Sequence, residues 1–279
     1  MKKIIAAFDG LKFSQATADY AIEICKQNDD HLVGVFLEDV TYHSYKLLEV
    51  VKEGGTPENA IQRFEEKDKE VRKASVVKFK TACAQAGINF SVHHDHSIAL
   101  RELLHETVYA DLLVIDSSET LSHYDEGLPT RFIRDILADV QCPVLLVPKK
   151  YEPVQKVFLL YDGESSSVYA IKMFSYLMQS FKSLPTEVLT VRAMRKDRHV
   201  PDNKVMREFM KRHFSGETYT VLNGFPEIEI TEYLKKQPQN FLIAIGAYRR
   251  GMVSRWFRES MADILMEELS APLFIAHNK

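Results

Sequence analysis

Short apolar runs alternate with longer stretches of helical patterning along the whole chain. Near-continuous apolar strands that are separated by helices are typical of a parallel sheet covered by helices on both faces. The clearest helical stretch, residues 57–86, carries charged residues on one side and apolar residues on the other. The apolar runs are residues 4–8, 32–37, 88–92, 112–115 and 144–147 in the first half, and residues 157–160, 188–191, 219–222, 242–245 and 273–276 in the second half.

The second half repeats the first in a shorter form. Phe8-Asp9-Gly10 and Tyr161-Asp162-Gly163 each close an apolar run and precede a helical stretch, and Cys142-Pro143 and Ala271-Pro272 each lead into the last run of their half. A repeat of this length indicates two domains of one kind. Residues 149–153 are polar and contain a proline, which is typical of a joint between domains. We therefore predict one domain at residues 1–150 and a second at residues 151–279.

These patterns predict an α/β protein of two tandem doubly wound (Rossmann-like) domains, each a five-stranded parallel sheet with helices on both faces. In such a sheet, ligands bind beyond the carboxyl ends of the strands, where the strand order reverses. We therefore expect any ligand next to Asp9 in the first domain or Asp162 in the second. The predicted helices of the second half are residues 166–181, 203–214, 228–236 and 260–269.

Several of these marks occur in the same order in both halves. An Asp-Gly pair follows the first run of each half, at Asp9 and at Asp162. In the second half, Gly224-Phe225-Pro226 precedes a helix and Gly246 follows the fourth run. With the proline-marked helix ends, these features resemble the universal stress protein family, in a tandem form that covers nearly the whole chain. The resemblance implies a five-stranded parallel sheet in each half and, in those members that bind one, an adenine nucleotide site.

The resemblance also implies how such a site is built: the aspartate after the first strand contacts the nucleoside, and a G-x-x-G loop with a later G-[S/T] pair wraps the phosphates. Glycines serve there because backbone N–H groups must approach phosphate oxygens closely. In the second half the pattern falls on Gly246, Arg249, Glu259 and Ser260. Arg249 adds a guanidinium that can bind phosphate. Glu259 opposes it, because two like charges at about 4 Å repel by roughly 4 kcal/mol at an effective dielectric constant near 20.

The candidate cofactor-binding residues are therefore centred on the second domain, where ATP is the candidate cofactor. The alternative is that the arginines near Trp256 form a solvated or domain-facing surface, and that the two strand-end aspartates only cap the turns into the next helices. The candidate set is Asp162, Gly163, Gly246, Arg249 and Ser260, with Asp9 at the corresponding place in the first domain.

In the first half, the phosphate-loop pattern has lost every glycine. The spacing of the phosphate-loop pattern falls here on Asp116, then on Glu119 or Thr120, and then on Thr130 and Arg131. Two carboxylates would face the phosphates, and Pro129 removes a backbone donor nearby. We therefore predict that the first domain does not bind ATP.

A histidine-rich segment, His93-His94-Asp95-His96, lies at the end of the third run of the first half. Because side chains alternate along a strand, His94 and His96 share one face. Two imidazoles and an oxygen ligand form a plausible zinc site, so these two residues are the candidate metal ligands. The alternative is that they are polar residues at the rim of the sheet.

Composition narrows the classes of partner. A formal net charge of -3 and a pI near 6.4 argue against nonspecific electrostatic binding to nucleic acid or to anionic membranes. No apolar stretch approaches the length of a membrane span, and the first run is too short for a signal peptide, so we expect a cytoplasmic protein. No sequence signature places a nucleophile beside a base, so we predict no catalytic residues and at most slow ATP hydrolysis.

The leading hypothesis is a non-catalytic stress-response protein that acts by binding a protein partner or a small molecule. Family dimers commonly associate through the last strand of the sheet, so residues 144–147 and 273–276 are the candidates for an intramolecular pseudo-dimer, with a homodimer as a further possibility. The alternative hypothesis is an ATP-binding module in the second domain. Zinc binding through the first-half histidines is a third hypothesis.

Overall fold

The computed structural model describes residues 1–26, 29–38, 57–95, 99–122, 125–192, 199–238, 240–246 and 260–277, without the side chains of residues 57–65 and 94–95. The chain divides into two compact units, Met1–Gln141 and Cys142–Lys279. The predicted joint at residues 149–153 lies between two strands of the second unit. Within the described ranges, no helix is long and apolar enough to cross a membrane.

The first unit alternates strands and helices, as the apolar runs predict. Its strands are parallel and lie in the order β3-β2-β1-β4. The chain moves outward from β1 to β3 and then returns to the other side of β1, which is the reversal that defines a doubly wound sheet. The elements are β1 (Lys3–Asp9), α1 (Gln15–Cys25), β2 (His31–Leu37), α2 (Pro57–Ala86), β3 (Asn89–Asp95), α3 (Ala99–Thr107), β4 (Leu112–Asp116) and α4 (Arg131–Asp139).

The second unit repeats this winding, with strands in the order β5-β10-β9-β6-β7-β8. All its neighbouring strands run parallel except β5 and β10, which pair antiparallel with Leu273 opposite Leu146. These are the two strands that the sequence analysis selected as pairing candidates. The elements are β5 (Val144–Val147), β6 (Lys156–Leu160), α5 (Ser165–Leu177), β7 (Thr186–Arg192), α6 (Asn203–His213), β8 (Thr218–Asn223), α7 (Pro226–Lys235), β9 (Phe241–Gly246), α8 (Met261–Glu268) and β10 (Leu273–Ala276).

The α/β fold class is confirmed, and the predicted elements differ from the observed ones mainly at their ends. Helix α7 begins at Pro226 rather than at residue 228, because the fixed φ of proline suits the first helical position, where no N–H is needed. The predicted helix 166–181 ends at Leu177, and Gln179–Phe181 form a short 3-10 turn instead. Tertiary packing decides such ends, since the Phe181 side chain is buried.

A cluster of aromatic rings fills the core of the first unit. Phe79 of α2 packs edge-on against Phe8 and Phe36 of the sheet, with ring centroids 5.5 and 5.9 Å apart. Gly34 of β2 makes room for this ring, because a Cβ there would lie 2.6 Å from the Phe79 ring. The apolar runs of β1 and β2 and the apolar side of α2 thus hold the carboxyl ends of these strands in a fixed place.

A buried ionic network links three elements of the second unit. The Lys156 ammonium lies 2.7 Å from the Glu187 carboxylate, and the Tyr233 hydroxyl donates to the same carboxylate at 2.7 Å. The Glu187 side chain is only 5% exposed. Burial raises the pKa of Glu187, but the hydrogen bonds from Lys156, Thr220 and Tyr233 outweigh burial and leave the pKa below its usual value. The network therefore fastens α7 to β6 and β7.

Candidate ligand-binding site

The point of strand reversal lies between β1 and β4 in the first unit and between β6 and β9 in the second. We call the carboxyl-end loops at these points the first-half edge (residues 9–12 and 116–122) and the second-half edge (residues 161–167 with Gly246 and Ser260). Each edge carries the aspartate that the sequence analysis selected. The two edges differ in the exposure of that aspartate and in the groups around it.

Asp9 is a buried, turn-forming residue. It is 4% exposed, and its Oδ1 accepts a hydrogen bond from the Leu11 N–H at 2.8 Å. Its main-chain carbonyl accepts from the Lys12 N–H at 3.1 Å. A carboxylate that accepts from the backbone two residues later shapes the turn after a strand. Asp9 therefore makes the turn contact that was the alternative explanation for both strand-end aspartates, and ligand contact by Asp9 stays a prediction.

Helix α2 also reaches the first-half edge, which the sequence analysis did not foresee. A Cβ at Gly10 would lie 3.2 Å from Cγ of Arg72, so the Arg72 side chain lies directly against Gly10. The Arg72 guanidinium is 3.3 Å from the Glu38 carboxylate beyond the end of β2. No local pattern in the sequence predicts this contact, because it depends on how α2 lies on the sheet.

The loop after β4 is organised by its own carboxylates. Oδ1 of Asp116 accepts from the N–H and the hydroxyl of Ser118, at 2.9 and 2.7 Å. Glu119 is 9% exposed, and its Oε1 accepts from the N–H groups of Thr120 and Leu121, both at 2.9 Å. The Glu119 carbonyl accepts from the hydroxyl of Thr130, which caps α4. Both carboxylates predicted to lie at the first-half edge are therefore there.

The acidic groups of the first-half edge act on one another electrostatically. Burial raises the pKa of Glu119, the carboxylates of Asp9 and Asp116 raise it as well, and the hydrogen bonds from the backbone lower it, which leaves it at about 7. The carboxyl groups of Asp116 and Glu119 thus share the place where the resemblance puts the phosphates of a nucleotide, and Asp9 is at the place that the resemblance gives to the nucleoside.

Two further contacts tie the loops of the first-half edge together. The Lys12 ammonium donates to the Ser122 carbonyl at 2.7 Å. The hydroxyl of Ser14, the N-cap of α1, donates to Oδ2 of Asp116 at 3.1 Å. The sequence held a signal for Ser14, because a serine directly before a helical stretch is a typical N-cap. It held none for Lys12.

The second-half edge presents its aspartate to solvent. Asp162 is exposed, and its Oδ1 accepts from the Glu164 N–H at 2.9 Å and from the Ser167 hydroxyl at 2.7 Å. These two contacts fix the position of the carboxylate at the start of α5. A fixed and exposed carboxylate can accept hydrogen bonds from hydroxyl or amino groups of a ligand that replace those from water.

Gly163 follows Asp162 in a conformation that favours glycine. Its φ is +97°, and a Cβ there would lie 2.8 Å from Cβ of Pro201. The Tyr161 hydroxyl donates to the Pro201 carbonyl at 3.2 Å, so the strand end and the segment before α6 hold each other. Gly163 is therefore needed for the turn that aims Asp162 outward.

Gly246 ends β9 directly beneath the N-terminus of α5. A Cβ at this position would lie 2.5 Å from the carbonyl carbon and oxygen of Ser166 and 2.7 Å from the Ser167 nitrogen. The absence of a side chain therefore allows the helix to approach the strand end. This packing gives a structural reason for a glycine here, alongside the phosphate-loop role that the resemblance implies.

Ser260 is the N-cap of α8 and belongs to a capping box. Its hydroxyl accepts from the Asp263 N–H at 3.2 Å, and Asp263 accepts from the Ser260 N–H at 3.1 Å. The Asp263 carboxylate thus occupies the helix end where an anion is otherwise favoured. The Ser-x-x-acid spacing is visible in the sequence and signals this box. Arg249 and Glu259 lie outside the described residues, so the predicted role of Arg249 stays a prediction.

The candidate zinc ligands fall where the structure gives no side-chain detail. The side chain of His94 and the whole of His96 lie outside the described parts. The neighbouring His93 contacts Glu106 of α3, with Nδ1 2.8 Å from Oε1. Among the side chains that are described, no group of three or more histidine, cysteine, aspartate or glutamate residues has a metal-binding arrangement. Zinc binding by His94 and His96 stays a prediction.

Comparison with known proteins agrees with the resemblance over the whole chain. No family model matches the sequence. The chain is 23% identical to universal stress protein Slr1230 of Synechocystis sp., over 98% of this chain and 99% of that protein. A universal stress protein from Archaeoglobus fulgidus shares the fold with a TM-score of 0.68 and 15% identity, over 99% of this chain and 96% of its own. The resemblance to tandem universal stress proteins is confirmed.

The same fold also occurs in a domain of a transport protein. The cytoplasmic domain of a prokaryotic cation chloride cotransporter matches with a TM-score of 0.58 and 11% identity, over 98% of this chain and 94% of that chain. At this identity the likeness concerns the fold alone. Function must therefore be argued from the two edges, because one fold serves many functions.

Proposed function

We propose that this chain, a universal stress protein of the tandem form, acts by binding a small molecule at its second-half edge and catalyses no reaction. The observation that carries this proposal is the contrast between two corresponding aspartates. Both carboxylates accept the backbone N–H two residues later, but Asp162 is exposed whereas Asp9 is 4% exposed. Only the second aspartate is presented to a ligand.

The first-half edge is unsuited to an anionic ligand. Glu119 and Asp116 bind the N–H and hydroxyl groups of their own loop, so these donors are already used. The carboxylates of Asp9 and Asp116, and that of Glu119 when it is ionised, also repel a phosphate group, because like charges at short range in a partly buried site cost several kcal/mol. We assign this edge a structural role in the first domain.

The second-half edge suits a ligand with hydroxyl or amino groups. The Asp162 carboxylate is an acceptor for such donors, and Gly246 brings the N-terminus of α5 close to the end of β9. The Asp263 carboxylate at the start of α8 competes with a phosphate for the helix end. An adenine nucleoside offers the donors without requiring the phosphate contacts. We therefore assign an adenine nucleoside or nucleotide as the ligand class, with the nucleoside part supplying most of the affinity.

Thermal unfolding with adenosine and with ATP tests this function. A ligand at 100 times its dissociation constant stabilises the folded state by about 2.7 kcal/mol, so both compounds should raise the melting temperature of the parent protein. Asp162→Ala should lose both shifts. Asp139→Ala, which removes an exposed aspartate of the first unit, is the matched control and should keep them.

Three outcomes separate the alternatives. If neither compound shifts the transition, the assigned ligand class is wrong. If the shift persists in Asp162→Ala, the ligand binds elsewhere. Release of inorganic phosphate from ATP at a rate that Asp162→Ala abolishes would contradict the non-catalytic part of the proposal.

A further inference from the structure

The loop between β4 and α4 depends on one buried acid. Glu119 accepts two backbone N–H groups of its own loop through Oε1, and its carbonyl holds the hydroxyl of Thr130. Thr130 is fully buried and accepts from the Ile133 N–H as the N-cap of α4. The conformation of Glu119 therefore determines both the loop and the first turn of the following helix.

Carboxylates at the ends of two neighbouring strands act on this acid. Asp9 ends β1 and Asp116 ends β4, the two strands pair in the sheet, and both carboxylates raise the pKa of Glu119. The only described backbone groups that Glu119 binds through Oε1 are Thr120 and Leu121, and two neutral donors offset only part of the repulsion from two charged neighbours.

The polar groups that other elements bring to this edge contact residues other than Glu119. From α1, the Ser14 hydroxyl binds Asp116, and from the turn after β1, the Lys12 ammonium binds the Ser122 carbonyl. From α2, Arg72 lies against Gly10 and pairs with Glu38. The Arg131 side chain at the start of α4 is 87% exposed and lies 3.9 Å from Asp135.

We infer that Glu119 is a proton-controlled latch: as a neutral acid it holds the loop after β4 and the first turn of α4 in place, and as an anion it loosens them. A proton on Glu119 removes its repulsion from Asp9 and Asp116 while Oε1 keeps accepting from the two N–H groups. Loss of that proton restores the repulsion inside a buried site. The first half of the chain thereby responds to pH, independently of any ligand at the second-half edge.

The direction of the response follows from the proton balance. The pKa of Glu119 rises from an ordinary value of 4.5 to about 7 in the folded protein. Between these values the closed loop binds more protons than the opened loop, so opening becomes more favourable as pH rises. Below pH 4.5 both forms are protonated, and above about pH 7 both are ionised, so the change is confined to this window.

Native-state hydrogen exchange tests the latch. After correction for the intrinsic pH dependence of exchange, the opening equilibrium reported by the amides of Thr120, Leu121 and Ile133 should rise about 40-fold between pH 5 and pH 7 in the parent protein. Glu119→Gln keeps the acceptor oxygen and cannot ionise, so its opening should not change with pH. Glu126→Gln is the matched control: Glu126 also binds a backbone N–H at the start of α4, at 2.8 Å from Arg131, and its variant should keep the parent's response.

A second measurement on the parent protein makes the test independent of any variant's folding. The side-chain carboxyl carbon of Glu119 should titrate near pH 7 by NMR. Titration near 4.5, or an unchanged pH response in Glu119→Gln, would overturn the latch. A response lost equally in Glu126→Gln would also overturn it, since the effect would then belong to the helix end rather than to Glu119.

Discussion

Replacing Gly246 with alanine is expected to lower the free energy of unfolding by about 3 kcal/mol, at the upper end of what overpacking usually costs. The new Cβ would meet backbone atoms of Ser166 and Ser167 at 2.5 to 2.7 Å. Backbone cannot rotate away as a side chain can, so α5 has to move off the end of β9. Denaturant unfolding followed by circular dichroism measures the loss.

Gly127 provides the matched control for this substitution. A Cβ at Gly127 would meet nothing within 4 Å, so alanine adds no clash there. Gly127→Ala should leave the stability unchanged or raise it by up to about 1 kcal/mol through reduced entropy of the unfolded chain. Equal losses in the two variants would show that the contact between α5 and β9 is not what requires glycine at position 246.

Removing Glu187 is expected to cost about 3 kcal/mol of unfolding free energy, the lower end of the range for breaking a buried ion pair, because Lys156 keeps some contact with water. Glu187→Ala leaves the Lys156 ammonium, 20% exposed, and the Tyr233 hydroxyl without their shared acceptor. The same denaturant experiment measures the effect.

An exposed pair of similar length shows whether burial is the cause. Lys150 and Glu152 lie 2.6 Å apart, but their side chains are 81% and 42% exposed. Surface pairs of this kind contribute at most about 1 kcal/mol, so Glu152→Ala should change stability by less than about 0.5 kcal/mol. Similar losses in Glu187→Ala and Glu152→Ala would contradict the account of the buried network.

Most strands were predictable because they contain a short, continuous apolar run. β5 and β10 were predicted with the bounds that the structure shows, since both are wholly buried and a proline precedes each. The reversal of strand order, and with it the position of Asp9 and Asp162, followed from the doubly wound pattern. These features depend on local periodicity, which the sequence carries directly.

The burial and the hydrogen-bond partners of the side chains at the two edges were harder to predict, because they depend on the orientation of each side chain in the folded protein. Counting along the sequence left the phosphate-loop position open between Glu119 and Thr120, and only the structure shows Glu119 folded back onto its own loop. The contact of Arg72 with Gly10 joins residues far apart in the chain. Equivalent Asp-Gly pairs therefore gave no sign that Asp9 is buried and Asp162 exposed.

The capping box at Ser260 shows the opposite case, in which the sequence held a usable signal. Ser260 and Asp263 have the spacing of a helix start, and the structure shows both hydrogen bonds of the box. The same serine was predicted as a phosphate contact on the basis of the family pattern. Its hydroxyl can still donate to a ligand, but the neighbouring carboxylate reduces the attraction of this helix end for an anion.

Hydrogen exchange with and without ATP shows whether the two edges differ in ligand binding. We expect slower exchange at residues 161–168 and at the amide of Gly246 when ATP is bound, with no change at residues 9–17 or 116–122. Protection at the first-half edge would contradict the structural role of Asp9 and Glu119. An unchanged second-half edge at saturating ATP would contradict the binding role of Asp162.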